Sequence, residues 1–369
     1  MADLVLITGG GGFIGRHIID ELLERGWRVR VLDALIDQVH GSGHPQLPQD
    51  VELVKGDVRD PEAVSRALQG VDCVIHLAAE VGVGQSMYEI ARYVGANDLG
   101  TAVLLEALIN HPVQRIVVAS SMSVYGEGLY RTADDERFDH ARRSRSRVAA
   151  GLWDPVDANG GQLSPAATDE EKPVDLASIY ALTKYVQERS VLIFGRAYGV
   201  ETVALRLFNV FGAGQALSNP YTGVLANFAA RLANRERPLV FEDGAQRRDF
   251  IHVRDVATAF RLALERPGLD DVVLNIGSGR SYAIRDVATM LAEAMGVPDL
   301  KPDILGKTRS GDIRNCYADI SKARALLGFE PAHRLEDSLA EIADWVRDTV
   351  ALDRSAQMRS QLEAMGLVS

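Results

Sequence analysis

The feature that most constrains this chain is a glycine run set between a short apolar segment and a helical pattern: Leu4–Ile7 leads into Thr8-Gly9-Gly10-Gly11-Gly12-Phe13-Ile14-Gly15. A strand that turns at once into a helix through glycines leaves few folds open. Gly9 permits the tight turn, Gly12 lets a ligand approach the backbone, and Gly15 lets the helix pack close to the sheet. The helix is predicted over about Gly12 to Arg25, with Ile14, Ile18, Leu22 and Leu23 on one face and Gly26 ending it. Its N-terminal N–H groups suit a pyrophosphate. A glycine-rich turn alone is weak, but Asp33 follows at the end of the next strand, near the spacing of about 20 residues expected for a carboxylate on the adenosine ribose of a dinucleotide. Asp33 repels a 2′-phosphate, and Ala34 to Val39 carry no lysine or arginine to neutralise one, so NAD is expected over NADP. Read alone, Asp33 is also compatible with a turn or cap.

Further short β-branched runs follow at Arg28–Leu32, Val51–Lys55, Val74–His76, Arg115–Ala119 and Val203–Leu207, separated by helical patterns. This rhythm predicts an α/β fold, a Rossmann doubly wound parallel sheet covered on both faces. After Asn209 the spacing changes to glycine-bearing loops, helices near Val224–Ala233, Ile284–Met295 and Leu335–Thr349, and a return segment at Asp249–Val256. The expected organisation is an NAD-binding Rossmann domain at 1–208, with an insertion at about 129–174 and a return segment at about 246–276. A smaller α/β substrate-binding lobe takes 209–245 and 277–350, leaving a C-terminal tail at 351–369. Gly56-Asp57-Val58 ends the third strand, where Asp57 is placed to meet the adenine amino group. His76-Leu77-Ala78-Ala79 ends the fourth, where small side chains let a dinucleotide lie against the backbone, and His76 itself reads as a structural histidine.

Composition excludes several classes. A formal net charge of -11 argues against a nucleic-acid footprint, which needs a basic face. Only Cys73 and Cys316 occur, too few for a disulfide framework or a multi-cysteine zinc site, so no metal is expected and a reducing, cytoplasmic setting is. Leu4–Ile7 is too short for a signal-peptide core, and no apolar run is long enough for a membrane span. The stretch from Leu129 to Val174 is rich in charge, Gly and Pro, with an arginine cluster at Arg142, Arg143, Arg145 and Arg147 that reads as a solvated surface insertion.

The chain resembles the extended short-chain dehydrogenase/reductases, the nucleotide-sugar epimerase and dehydratase family. The matching residues are Thr8 to Gly15, Asp57-Val58, His76 to Ala79, Asn97, Ser120 to Gly126, Tyr180-Ala181-Leu182-Thr183-Lys184, Arg206 to Asn209, Arg248 to Val253 and Gly311 to Arg314, in the family's order along nearly the whole chain. The resemblance implies that Phe13, Ile14, Val58, Leu77, Ala78, Ala79 and Asn97 join the glycines, Asp33 and Asp57 around NAD. It implies Tyr180 as proton shuttle, Lys184 as holder of the nicotinamide ribose, and Ser121 as hydroxyl partner of the reacting sugar oxygen. Asn209, Arg248, Arg309 and Asp312, and more weakly Arg314, are implied to hold the nucleotide diphosphate and its ribose, a task that suits arginine's planar fork.

The residues allow that chemistry. Tyr180 and Lys184, four apart on a predicted helix, share a face. The ammonium and an oxidised nicotinamide are expected to lower the phenol's pKa from about 10. Tyr180 takes the proton of a sugar hydroxyl while the carbon-bound hydride passes to NAD, giving a transient keto sugar; return of the same hydride to its other face inverts the carbon and regenerates NAD. The family's 4,6-dehydratases carry an Asp-Glu pair directly after the catalytic hydroxyl residue, whereas this chain has Met122 and Ser123, so a 4-epimerase is expected.

Within the family the chain resembles the dTDP-L-rhamnose 4-epimerases, which form dTDP-6-deoxy-L-talose, at Asp33-Ala34-Leu35, Gln38-Val39-His40-Gly41 and Tyr125 to Arg131. It departs from them in the insertion, where Asp154-Pro155-Val156-Asp157 replaces a Cys-Pro-x-Cys segment. Alternatives are a UDP-hexose or UDP-uronate 4-epimerase and, in another class, a dinucleotide-sensing regulator without turnover, which usually lacks the tyrosine and lysine. The family also implies a homodimer paired through helices near Thr101–Asn110 and Ser178–Ala197.

Overall fold

A computed structural model describes residues 3–40, 47–215, 223–309, 311–348 and 363–366. Gly41, Thr349 and nearly all of the expected tail lie outside the described residues.

The apolar runs form a seven-stranded, all-parallel sheet. Its strands are β1 (Leu4–Thr8), β2 (Arg28–Asp33), β3 (Glu52–Lys55), β4 (Cys73–His76), β5 (Arg115–Ser121), β6 (Glu201–Leu207) and β7 (Val272–Ile276). They lie in the order β7-β6-β5-β4-β1-β2-β3. Every residue of β1, β4 and β5 is buried, which is why these strands read as continuous apolar runs rather than alternating ones.

Two apolar layers cover the sheet. On one face α1 (Phe13–Glu24) sets Ile18 and Leu22 among Val256, Phe260 and Leu264 of the helix Val253–Glu265. On the other, Leu104 and Leu108 of α2 (Gly100–Asn110) pack with Val191 and Leu192 of α3 (Ile179–Tyr198). A third core joins the helices Val224–Ala233, Ile284–Ala294 and Leu335–Asp348 around Phe228, Leu291 and Ile342. The strand Phe250–His252 pairs with Asn209–Phe211 and connects the two lobes. Among the described residues, no helix is long and apolar enough to cross a membrane.

The insertion is more ordered than its composition suggests. Tyr130–Arg131 pairs antiparallel with Arg137–Phe138 on one side and Ser164–Pro165 on the other, and Arg145–Ala149 forms one short helix capped by Ser144. The reading of its arginines as a solvated cluster holds for Arg142, whose side chain is 79% exposed beside Asp175, but not for Arg143. The Arg143 side chain is only 9% exposed. Its guanidinium meets Glu127 at 3.0 Å, pairs with Glu242, and donates to the Asp312 carbonyl at 2.6 Å. Acidic partners distant in sequence draw one arginine of the cluster inward, so the insertion is bolted between the two lobes.

Removing one partner of a buried ion network strands the others without compensation. Arg143→Met is therefore expected to cost about 3–5 kcal/mol of stability, whereas Arg142→Met should stay within about 0.5 kcal/mol. Urea unfolding of the two variants checks this; equal midpoints would remove the bolt.

Candidate active site

The glycine turn closes on the end of β4. Gly9 has φ +71°, and a Cβ there would lie 2.9 Å from the Ala78 backbone, so two strand ends approach as closely as backbones can. A Cβ on Gly15 would lie 2.5 Å from the Gly10 carbonyl oxygen. Gly15 thus serves the turn itself rather than the helix-to-sheet contact the pattern implied. Gly12 caps α1 without a side-chain bond, and the first turn holds no acidic residue. Phe13 and Ile14 open that turn, leaving its N–H groups to an anion. The Asp33 carboxylate accepts the Gly11 N–H at 2.9 Å and the Leu35 N–H at 2.8 Å, and His40 Nε2 lies 3.3 Å from it. The turn, the uncapped helix and the adjacent carboxylate fit a dinucleotide.

Other expected cofactor contacts are tied up within the protein. The Asp57 carboxylate takes both Arg59 Nε (2.9 Å) and Nη2 (2.6 Å) and the Arg59 N–H, and the arginine holds it below the usual carboxylate range. Val58 is buried beside Gly100. Asn97 lies in a π-helical turn, Val94–Leu99, with its Oδ1 accepting the Glu80 N–H at 2.7 Å and its Nδ2 donating to Thr183 Oγ1 at 2.9 Å. It braces the residue next to Lys184. Leu77 and Ala79 flank Ala78 just beyond β4. His76 is the structural histidine expected: it contacts Thr8 and Thr101, and burial pulls it down to about 3.

Ser121 is the last residue of β5, and Tyr180 and Lys184 lie in the first turns of α3, which Ser178 caps. Ser121 Oγ accepts the Ser123 N–H at 3.2 Å and the Ser123 hydroxyl at 2.9 Å. With both lone pairs filled, the Ser121 proton is left for another acceptor, and Ser121 is near enough to the Tyr180 phenol to act on its pKa. Burial raises the Tyr180 pKa and Ser121 opposes that rise. The expectation that Lys184 lowers this phenol needs correction. The Lys184 ammonium turns instead to Gln187 Oε1 at 2.6 Å, and burial pulls it down to about 7, with Glu188 opposing.

The residues expected to hold a substrate divide. Arg309 grips Asp312 through Nε (2.9 Å) and Nη2 (3.1 Å), with its Cζ 4.6 Å above the Phe241 ring. Arg248 donates to the carbonyls of Arg247, Arg314 and Ile313, and Asn209 Nδ2 to that of Asp249 at 2.9 Å. Arg314 is not available to a ligand. It is buried and meets Asp154 at 2.8 Å, Glu242 at 3.0 Å and Asp243 at 2.6 Å.

Sequence reasoning missed Ser123, which aims Ser121; Ser86, whose Oγ accepts the Tyr180 N–H at 3.0 Å; and Gln187. Only Gln187 carried a spacing signal, one turn beyond Lys184. It also missed Arg92, which reaches Gln38 at 2.7 Å beside the ribose loop but is neutralised by Glu80 and Glu89.

A profile of the NAD dependent epimerase/dehydratase family matches residues 5–146 and 157–277. The chain belongs to that family. Its cofactor is NAD. It is 37% identical to a dTDP-L-rhamnose 4-epimerase of Burkholderia thailandensis, over 93% of this chain and 94% of the relative. The fold is similar to the UDP-glucose 4-epimerase of Thermotoga maritima with UDP-glucose (TM-score 0.77, 30% identity), covering 94% of this chain and 99% of that one. It is equally similar to the UDP-glucuronic acid 4-epimerase of Bacillus cereus with UDP-glucuronic acid and NAD (TM-score 0.77, 26% identity, with the same coverage).

Proposed function

We propose that this family member is a nucleotide-sugar 4-epimerase that converts dTDP-L-rhamnose to dTDP-6-deoxy-L-talose through a transient 4-keto sugar. The observation that carries the reading is the Ser121–Tyr180 pair, with Met122 and Ser123 where a dehydratase needs an acid and a base. Met122 is buried and carries no proton to give, and Ser123 is spent on aiming Ser121. The 37% identical rhamnose epimerase favours this sugar. The two structures with UDP-glucose and UDP-glucuronic acid favour the second reading, a UDP-hexose or UDP-uronate 4-epimerase.

NAD, when bound, supplies the acceptor and then the donor of hydride. Gly9, Gly12, Phe13, Ile14 and Gly15 hold its pyrophosphate at the α1 N-terminus, Asp33 its adenosine ribose, and Lys184 its nicotinamide ribose. Ser121 hydrogen-bonds the reacting sugar oxygen, and Tyr180 takes the hydroxyl proton from that oxygen and later returns it. A phenol whose pKa burial raises stays protonated, and so cannot take a proton, until positive charge stands beside it, so proton removal is tied to loading of the site. Arg309, held over the Phe241 ring, exchanges part of its grip on Asp312 for the diphosphate, and Arg248 and Asn209 lie on the same side.

The reading includes a homodimer in the reducing cytoplasm, where the buried thiols Cys73 and Cys316 stay unpaired. Leu99 and Ile109 around α2, and Leu182 and Ile193 about three turns apart on α3, are exposed on the outer helices, apolar surface that a second copy would cover. Sedimentation should give twice the 40.1 kDa chain mass, and a monomer with Leu182→Glu and Ile193→Glu together; a wild-type monomer removes the dimer. Proton NMR with dTDP-L-rhamnose, dTDP-glucose, UDP-glucose and UDP-glucuronic acid tests the substrate. A new anomeric signal is expected with the first; silence there and turnover of a UDP sugar moves the assignment to the second reading.

A further inference from the structure

Behind Lys184 lies a run of buried polar groups that the chemistry above does not use. Lys184, Gln187, Thr101, His76 and Thr8 are all buried, Gln187 and His76 completely. In so dry a place every donor and acceptor must be matched, and the matching can be worked out from one end. The Thr101 hydroxyl gives its single proton to the Asn97 carbonyl at 2.5 Å, so its oxygen can only accept from elsewhere. His76 Nε2, 2.9 Å away, is then the donor to Thr101, and His76 Nδ1 accepts the Thr8 hydroxyl at 2.7 Å. The Gln187 amide nitrogen spends its two protons on Thr101 Oγ1 at 2.9 Å and the Ala78 carbonyl at 3.2 Å. The nitrogen also lies 3.1 Å from His76 Nε2, and the amide's orientation is set by the Ala78 carbonyl, which can only accept, and by the Lys184 ammonium, which can only donate.

We infer that Gln187 is a positioning residue for the reaction: its amide is locked so that the carbonyl oxygen faces Lys184 and holds the ammonium by a neutral acceptor. The inference rests on the epimerase reading and deepens it. The carboxylate on the adjoining residue does not compete for this task. Glu188 is taken by Arg206 Nε (2.9 Å) and Nη2 (2.7 Å) and by the Ser120 hydroxyl (2.6 Å). The other titratable neighbours are His76 on β4, neutral by burial, and Tyr180 one turn earlier on α3. A neutral tether fixes where the nitrogen sits without neutralising its charge, leaving that charge for a ligand in the pocket. It also gives little help in keeping the proton, consistent with an ammonium that burial pulls down to about 7. Because Ala78 also abuts Gly9, the same amide links the lysine to the glycine turn.

Two variants separate positioning from mere packing. Gln187→Met and Gln187→Glu both abolish the N–H bonds to Thr101 and Ala78, so a structural role predicts equal loss of thermal stability and an unmoved lysine. Positioning predicts that they diverge. In ligand-free protein carrying ε-13C-lysine, with Lys184 assigned from Lys184→Arg, wild-type Lys184 should titrate near neutral pH. Gln187→Glu should raise that midpoint by about one unit or more, as a carboxylate in contact does. Gln187→Met should leave the midpoint at or below the wild-type value. It should lower kcat about tenfold with the sugar-nucleotide KM unchanged. Should the methionine variant fail to fold, the glutamate variant decides alone. An identical Lys184 midpoint in wild type and Gln187→Glu overturns the inference even while turnover persists. Absence of turnover with every nucleotide sugar overturns the epimerase reading instead and leaves the lysine titration as an independent measure of the tether.

Discussion

In a parallel sheet all strands deliver their C-terminal ends to one edge, and this constraint organises the protein. Asp33, His76 and Ser121 are the last residues of β2, β4 and β5, and Asn209 lies just beyond β6. Between β1 and β4 the strand order reverses, opening the crevice in which doubly wound sheets bind their ligands. Here the crevice is as narrow as backbone allows, with Gly9 against Ala78. One glycine therefore decides whether the rest of the site can assemble.

Around that crevice the protein solves two burial problems differently. Beneath the candidate catalytic lysine it uses neutral groups, Thr8, His76, Thr101, Gln187 and Asn97, which satisfy one another and leave a single ammonium facing a neutral oxygen. Between the lobes it uses full charges, with Arg143 and Arg314 set among Glu127, Glu242, Asp243 and Asp154. The first arrangement keeps a charge available for chemistry. The second fixes the insertion and the segment carrying Asp312 against each other, so the wall of the smaller lobe is held from two directions.

What was legible in the sequence was what is local. The strands, α1 and the glycine turn follow from periodicity and backbone sterics over a few residues, and the Tyr180–Lys184 spacing follows from one helical turn. A return segment at about 246–276 was expected from a change of rhythm, but the strand it contributes to the sheet, Val272–Ile276, was not among the runs read from the sequence. The fate of individual charged groups was not legible, because it is set by partners far along the chain. Arg143 looked like its exposed neighbour Arg142 until Glu127 and Glu242 met it, 16 and 99 residues away. Arg314 matched a ligand-binding motif yet is saturated by acids from distant segments, whereas Asp57 is occupied by Arg59 only two residues on. Lys184 was placed on the right face, but its orientation depends on an amide that is itself oriented by Thr101 and Ala78.

The central claim is that one phenol, aimed by Ser121, moves the proton. Replacing Tyr180 with phenylalanine removes that oxygen and little else, since its ring packs edge-on against Tyr93. The decisive measurement is turnover of Tyr180→Phe alongside the NAD it retains after purification. The account predicts unchanged NAD content and a fall in kcat of about 10²- to 10⁴-fold, the range for loss of a general acid–base. Turnover equal to wild type, with NAD bound, would contradict it.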